Sequence, residues 1–412
     1  MSNVLSRADL LSGGPKAFYY VSIGFLFSQL FPPLLAFVPI GMSVYLLGYV
    51  LLAVILVPKL VATKPVLWLT VFYLIMLCKF IFGNAYVPRI NEVVIPYLSI
   101  LSPYIFASFV LQYIDEKRCK FLIIFSALLL TVFSLTSIRI LLSNPLLMRQ
   151  IFSDAENAAV SPLLYRYGDV HQMVVLVLPL CFFFKNVKGL NTSRWISLSV
   201  LAIIVILMAV SNAGTAMIIG VFCVFIGFVS NQDKISPRRF VGLIVIAIIL
   251  YVLNKTGVII MFLDFVKELL PGGGTTAERI DEIELLLQTG NSEGDLAGRQ
   301  DLYSDSWKLF LESPLSGTSR PELIGRHAYF IDILACNGVF LILPYIVFFV
   351  KAIKTTFYKL GASRFTYLYG SMAYIFILFT KNQMGFFYLF GLLPLFCKYI
   401  DFVINDKKIK SN

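Results

Sequence analysis

Seven arginines lie in or directly beside the two polar stretches of an otherwise apolar chain, at residues 142–169 and 263–326. A guanidinium binds phosphate through two parallel N–H groups, so arginines at a membrane surface would suit a lipid-anchored pyrophosphate. The alternative is that these side chains are solvated, or paired with Asp295, Asp301 and Glu312. The seven are Arg139, Arg149, Arg166, Arg279, Arg299, Arg320 and Arg326.

His327 follows Arg326 at the start of an apolar run, where it could face both water and a membrane-anchored molecule. An imidazole with its ordinary pKa of about 6.5 suits a general base near neutral pH. The alternative is an interfacial or helix-capping histidine. The only other histidine is His171, and no HExxH or CxxC pattern occurs, so the sequence predicts no metal held by protein ligands.

Several charged groups fall inside apolar runs. Asp169, His171 and Asp332 are expected to face the protein interior, because polar groups are costly in lipid. Lys79 and Lys381 are expected to extend their ammonium groups towards the membrane surface.

The composition is that of a membrane protein. Of 412 residues, 58% are hydrophobic and 14% are charged, and the mean hydropathy is +0.84, which is far more apolar than soluble domains. The net charge of +11 comes from short basic clusters between apolar runs. It therefore indicates membrane topology, and we expect no nucleic-acid partner.

We predict an all-α polytopic membrane protein with about twelve transmembrane helices, because a span needs roughly 17 to 25 apolar residues. The first is expected to stay as a helix, since no cleavage site follows it. The predicted spans are 17–35, 40–57, 65–83, 93–113, 121–141, 170–184, 195–211, 213–230, 239–262, 328–350, 365–380 and 384–402.

The connections between these spans alternate between basic and almost uncharged. By the positive-inside rule the basic connections and both termini face the cytoplasm. The chain then divides into residues 1–262 with nine spans and a smaller far-side loop at about 142–169, residues 263–327 as a large far-side loop, and residues 328–412 with three spans and a basic tail.

The large loop should be partly helical. Thr275 and Glu278 form a capping-box pattern ahead of an amphipathic helix that presents Ile280, Ile283, Leu286 and Leu287 and ends near Gly290. A second helix should cover about 298–312 and stop before Pro314. Because helices outside the bilayer with apolar faces need a covering surface, we expect the loop to lie on the membrane rim.

The second half of the chain resembles the O-antigen polymerase and O-antigen ligase family. Family members show an arginine that opens a loop helix, a Pro-Leu-x-Gly turn, and a histidine eleven residues before a glycine. The chain departs from the family at Ser319, Ala328 and Ser211-Asn212, and these departures weaken any assignment within the family. The matching residues are Gly298-Arg299, Trp307, Pro314-Leu315-Ser316-Gly317, His327 and Gly338, with Tyr165-Arg166-Tyr167-Gly168 upstream.

The resemblance implies a GT-C-like, membrane-integral glycosyltransferase of the bacterial inner membrane, acting in the periplasm on undecaprenyl-pyrophosphate-linked oligosaccharides. No nucleotide sugar, metal or cofactor is implied. His327 would be the catalytic base, Arg166, Arg299 and Arg326 would bind pyrophosphate, and Arg279 and Arg320 are weaker candidates. The residues assigned to sugar or lipid contact are Tyr303, Trp307 and Tyr329.

Three functions remain open. We favour a polymerase that joins repeat units, because polymerases diverge widely with the sugar they handle. An O-antigen ligase, which transfers polysaccharide to lipid A core, needs the same leaving-group chemistry. A polysaccharide flippase is less favoured, because it should place charges deep in several helices. Expected partners are the lipid-linked oligosaccharide and the bilayer, with a chain-length regulator protein as a further candidate.

Overall fold

A computed structural model describes most of the chain, and the regular secondary structure of these described residues is helical, with no strand. The prediction of an all-α protein is confirmed. The described residues are 13–31, 42–82, 90–143, 147, 164–165, 167–186, 192–211, 214–229, 252–253, 256–268, 280–281, 284–285, 288, 294–318, 320, 323–325, 328–381 and 385–411.

The helices fall into three groups along the chain. The first group is α1 (Gly14–Leu30), α2 (Met42–Leu56), α3 (Pro58–Val61), α4 (Lys64–Phe82), α5 (Ile90–Tyr113), α6 (Glu116–Ser143), α7 (Tyr167–Asn186), α8 (Thr192–Val210) and α9 (Gly214–Val229). The long polar stretch contains α10 (Val258–Glu268) and α11 (Gly294–Glu312). The last group is α12 (Tyr329–Lys359), α13 (Arg364–Thr380) and α14, which begins with a π-helical turn at Tyr388–Leu392 and continues over Leu393–Ser411.

A described helix coincides with each predicted span except the ninth, most of which lies outside the described residues. By length and composition, five of the described helical segments could cross a membrane, and the protein is membrane-integral. Three shorter apolar helices accompany them, at Ser43–Leu56, Arg194–Val210 and Thr215–Gly227. The five are Val93–Tyr113, Glu116–Ser143, Gly168–Lys185, Tyr329–Lys359 and Tyr388–Asn405.

Helix α7 lies at the centre of the bundle. Every residue from 170 to 183 is buried, because α8, α9, α13 and α14 all pack against it. A helix that is apolar around its whole circumference is stable only when it is surrounded in this way. Tyr165, just ahead of α7, is anchored by its N–H group, which donates to Ser137 Oγ of α6 at 3.0 Å.

Helix α12 is interrupted at Gly338, whose backbone is non-helical with φ 64° and ψ 178°. We call residues 329–337 the first half of α12 and residues 339–359 the second half. The second half is packed by aromatic rings, with Phe349 against Phe386 and Phe390 at centroid distances of 5.6 and 5.5 Å. The first half has ring contacts too, such as Tyr329 with Phe386, and in addition it contacts α11 and the end of α13 through polar groups.

The large polar stretch has the predicted second helix. It is observed as α11, which begins at Gly294 and ends at Glu312, so the sequence pattern located its end but placed its start four residues too late. Of the first predicted loop helix, the structure describes helical residues at 280–281 and 284–285.

Candidate functional site

Helix α11 is fixed to α12 by a buried serine. The Ser306 side chain is fully buried, and its hydroxyl donates to Asp332 Oδ1 of α12 at 2.7 Å. The Ser306 hydroxyl oxygen in turn accepts the Gly325 N–H at 3.0 Å. One hydroxyl therefore joins α11, the segment that precedes α12, and the first turn of α12. We call Ser306, Gly325, Ala328 and Asp332 the serine–aspartate network.

Asp332 completes this network with its second carboxylate oxygen. Asp332 Oδ2 accepts the N–H of Ala328 at 3.1 Å, which satisfies a donor at the start of α12. The carboxylate also lies at the positive end of the helix dipole, where an anion is stabilised. Asp332 is 8% exposed, so the prediction that it faces the protein interior is confirmed.

Gly325 lies directly against α11. A Cβ atom added to it would be 2.2 Å from the carbonyl oxygen of Leu302, so only glycine allows this approach of two backbones. Gly325 and Ala328 are the nearest described residues on either side of positions 326 and 327. Both are held by the serine–aspartate network.

The chain leaves α11 through a turn that fits into the interruption of α12. We call the turn at residues 313–318, together with the break at Gly338, the joint. The carbonyls of Pro314 and Leu315 accept the N–H groups of Val339 and Phe340 at 2.8 and 3.3 Å. In return, the N–H of Thr318 donates to the carbonyl of Ala335 at 2.8 Å. The turn therefore replaces helical hydrogen bonds that the break removes.

Two glycines make this interlocking possible. Gly317 has φ 80° and Gly338 has φ 64°, a region that residues with a Cβ rarely adopt. A Cβ on Gly317 would lie 2.1 Å from Cys336 O, and one on Gly338 would lie 2.5 Å from Leu315 O. The Pro-Leu-x-Gly turn and Gly338, which lies eleven residues after His327 in the sequence, therefore contact each other directly.

The end of α13 adds a third element. The Tyr303 hydroxyl of α11 donates to the carbonyl of Thr380 at 2.9 Å, and the Tyr329 N–H donates to the carbonyl of Lys381 at 3.2 Å. Lys381 is 7% exposed, so the expectation that its side chain extends to the membrane surface is wrong. The backbone at this residue instead forms part of the packing around α12.

The start of α7 lies beside the start of α14. A Cβ on Gly385 would be 2.5 Å from Gln172 Nε2, so these two segments are in close contact. The Tyr374 hydroxyl of α13 donates to the carbonyl of Gly385. His171 is fully buried, as predicted, and Asp169 is half-buried and interacts electrostatically with Tyr374.

The structure describes only some of the residues predicted to act on a substrate. Arg299 lies on α11, but its side chain is outside the described part of the structure. Arg320 is exposed and forms an ion pair with Glu312, which matches the alternative that arginines here have acidic partners. The predicted residues that lie outside the described residues are Arg166, Arg279, Arg326 and His327.

The three predicted aromatic contacts occupy different environments. The Trp307 side chain is 47% exposed, with its ring 5.1 Å from that of Phe310. Tyr303 is half-buried. Tyr329 is buried, and its hydroxyl forms a 2.7 Å hydrogen bond with that of Tyr345, so its ring belongs to the core around α12.

Sequence reasoning did not identify Ser306 or Lys79 as residues that connect the large loop to the helices. Ser306 lies on the face of α11 that also presents Tyr303 and Leu309, and a serine on an otherwise apolar face was the available signal. Lys79 Nζ of α4 donates to Cys336 O at 2.5 Å and is 3.4 Å from Ser316 O. The expected extension of Lys79 to the membrane surface is not tested, but its ammonium group has specific acceptors in the fold.

A charged cluster joins α10 to the helical residues near 284; it consists of Asp264, Lys267, Asp281 and Glu284. Lys267 forms an ion pair with Asp281, and this hydrogen bond raises the pKa of Lys267. Desolvation, and then the neighbouring Asp264 carboxylate, raise the pKa of Glu284 above its ordinary value. Both shifts favour the protonated form of the group.

Comparison with known protein families matches residues 197–346 to the family described as O-antigen ligase. Comparison with curated proteins gave no match. The matched region contains α11, the serine–aspartate network and the joint, and members of this family are glycosyltransferase- or ligase-type enzymes. The match confirms that this region of the chain resembles the O-antigen polymerase and ligase family.

Proposed function

We propose that this protein is a polysaccharide polymerase that joins undecaprenyl-pyrophosphate-linked oligosaccharide repeat units on the periplasmic side of the bacterial inner membrane. The observation that carries the proposal is the serine–aspartate network. It ties α11, the helix that contains Arg299, to Gly325 and Ala328, which flank the Arg326-His327 pair in sequence. The helix that contains Arg299 is thereby joined by hydrogen bonds to the described residues that flank the candidate base in sequence.

The proposed reaction is a displacement at an anomeric carbon. The hydroxyl oxygen of the acceptor sugar forms a bond to that carbon, and the carbon–oxygen bond to pyrophosphate breaks. Pyrophosphate leaves on its lipid, and the hydroxyl proton passes to His327. Arg166, Arg299 and Arg326 stabilise the developing negative charge, with Arg279 and Arg320 as weaker candidates. Such a displacement inverts the anomeric centre, and it requires no metal or cofactor.

We further propose a GT-C-like arrangement of about twelve spans with both termini in the cytoplasm. The coincidence of described helices with eleven of the predicted spans supports this topology. The alternation of basic connections supports the orientation. Both lipid-linked substrates would then reach the large loop from the outer leaflet, and a chain-length regulator protein would bind from the same side.

Exposed apolar side chains support the position of α11 at the membrane rim. Trp307, Leu311 and Leu315 are 47%, 59% and 58% exposed. Leu315 is linked through its carbonyl to Phe340, which is 65% exposed on the second half of α12. A tryptophan beside an apolar surface is typical of the membrane interface. The apolar surface of α11 and the turn thus continues into that of a candidate spanning helix.

A surface-polysaccharide gel from a strain deleted for this chain tests the proposal. Complementation with the intact protein should restore a ladder of chain lengths. His327→Ala and Arg299→Ala, at matched expression, should give single-repeat glycan on the lipid core without a ladder. Arg364→Ala is the matched control, because Arg364 is an exposed arginine on the opposite, predicted cytoplasmic side, and it should behave as the intact protein.

The ligase function is the second candidate, since the matched family is described as O-antigen ligase. A ligase predicts loss of all repeats from the lipid core, with long chains retained on the carrier lipid. An unchanged ladder in the deletion strain would exclude both enzymatic functions. Accumulation of lipid-linked repeats on the cytoplasmic face would indicate a flippase.

A further inference from the structure

Two carbonyl groups of the joint, Cys336 O and Ser316 O, lie within hydrogen-bond distance of one lysine side chain. The last residues of a helical segment present carbonyls without helical partners. In the first half of α12, Ala335 O is taken by Thr318 N, whereas Cys336 O accepts from Lys79 Nζ at 2.5 Å. Ser316 O of the turn lies 3.4 Å from the same ammonium group. Lys79 thus bridges the two sides of the joint from a third helix, α4.

Electrostatics favours a cation at this position. The first half of α12 ends at Gly338, so the negative end of its dipole points at the joint. A charge-assisted hydrogen bond is about twice as strong as a neutral one, and it is further strengthened where water is scarce. Lys79 itself is half-buried, so its charge needs these acceptors.

The consequence reaches α11. The turn at residues 313–318 continues directly from the C-terminus of α11, where Ser313 N donates to Phe310 O at 3.1 Å. Further attachments of α11 are the serine–aspartate network, about two turns earlier in the helix, and the hydrogen bond of Tyr303 to Thr380. If the joint opens, the C-terminal end of α11 loses its attachment to α12, while contacts such as those of Tyr303 and Ser306 still hold the middle of the helix.

We propose that Lys79 is the positioning residue that keeps the joint closed and thereby holds α11, with Arg299, in register with α12. The role of Lys79 in holding the joint closed is argued from its contacts. The importance of a closed joint for turnover rests on the proposed function. Lys79 does not touch substrate; it acts through the backbone of Ser316 and Cys336.

Thiol labelling measures the closure independently of activity. Of the six cysteines, Cys336 is half-buried, Cys78 is exposed and four are buried. In a Cys78→Ser background, the reaction of Cys336 with a small water-soluble maleimide therefore reports opening of the joint. Lys79→Met should accelerate this labelling roughly tenfold, as expected for the loss of a charge-assisted hydrogen bond. Lys79→Arg should restore slow labelling, because it returns a cationic donor.

The matched control is Lys59→Met, because Lys59 is an exposed lysine of α3, remote from the joint in sequence, and should label like the parent protein. The polysaccharide gel is run on the same variants. Lys79→Met should reduce the ladder roughly tenfold at unchanged protein level and unchanged thermal midpoint, and Lys79→Arg should recover it.

The outcomes separate the two proposals. Unchanged Cys336 labelling in Lys79→Met would overturn the closure by Lys79. Faster labelling with a full ladder would overturn its positioning role in the reaction. If the intact protein itself restores no ladder, the proposed function fails, and the labelling result still decides whether Lys79 closes the joint.

Discussion

The two halves of α12 are held in place by different forces. The first half is surrounded by directional contacts from Ser306, Lys79 and Thr318. The second half is packed mainly by rings such as Phe348 and Phe349, which lie against α14, although its Tyr345 hydroxyl also bonds to that of Tyr329. In a bilayer, apolar packing carries little hydrophobic driving force, since lipid is also apolar. Hydrogen bonds therefore contribute most to fixing the position of the first half, and the packing of aromatic rings contributes most in the second half.

The largest expected effect is at the boundary between the halves. Gly338→Ala places a Cβ 2.5 Å from Leu315 O at a backbone conformation that is essentially restricted to glycine. We expect a loss of about 3 kcal/mol or more in stability and poor recovery of folded protein. The thermal midpoint in detergent is the measurement. Gly48→Ala is the control, because nothing lies within 4 Å of its added Cβ, and it should be neutral.

The second-largest loss of stability is expected from a substitution in the first half of α12. Asp332→Ala removes the acceptor of the Ser306 hydroxyl and of the Ala328 N–H, which leaves two buried donors unpaired. We expect a loss of about 2–4 kcal/mol and the absence of a polysaccharide ladder. Asp332→Asn keeps one acceptor oxygen, so its stability should lie between that of the intact protein and that of Asp332→Ala. A fully stable Asp332→Ala protein would contradict the role of hydrogen bonds in the first half.

A smaller effect is expected in the second half. Phe348 is fully buried among aromatic rings, so Phe348→Leu removes packing but leaves no polar group unpaired. We expect about 1 kcal/mol of lost stability and an almost normal ladder, since neighbouring rings can repack. Chemical unfolding of both variants in the same detergent compares the halves directly. A loss equal to that of Asp332→Ala would break the distinction between them.

The smallest effect should be a pH dependence confined to the large loop. The raised pKa of Glu284 means that its contribution to stability is present below the ordinary glutamate pKa and is lost as the pH rises through the raised value. Limited proteolysis of the loop should therefore become faster with rising pH. Glu284→Gln should remove this dependence. The second half of α12 should be equally protected throughout the same pH range.

Sequence reasoning located features whose cause is local. The end of α11 follows from Pro314, and the burial of Asp332 follows from the cost of a carboxylate in lipid. The break at Gly338 was not predicted, because the apolar run 328–350 continues through it without interruption. Its cause is a turn that inserts from outside the helix. The contact of Lys79 with Cys336 joins residues 257 positions apart, a separation over which no periodic pattern operates.

That separation has a consequence for how the protein is made. In the proposed topology, Lys79 would enter the membrane with the N-terminal part of the chain, before the ribosome has produced the carbonyls that it contacts. Until the residues around 316 and 336 arrive, the ammonium group has to stay hydrated at the membrane edge. A chain that stops after α9 would therefore lack the carbonyls of Ser316 and Cys336 that this ammonium group contacts in the complete fold.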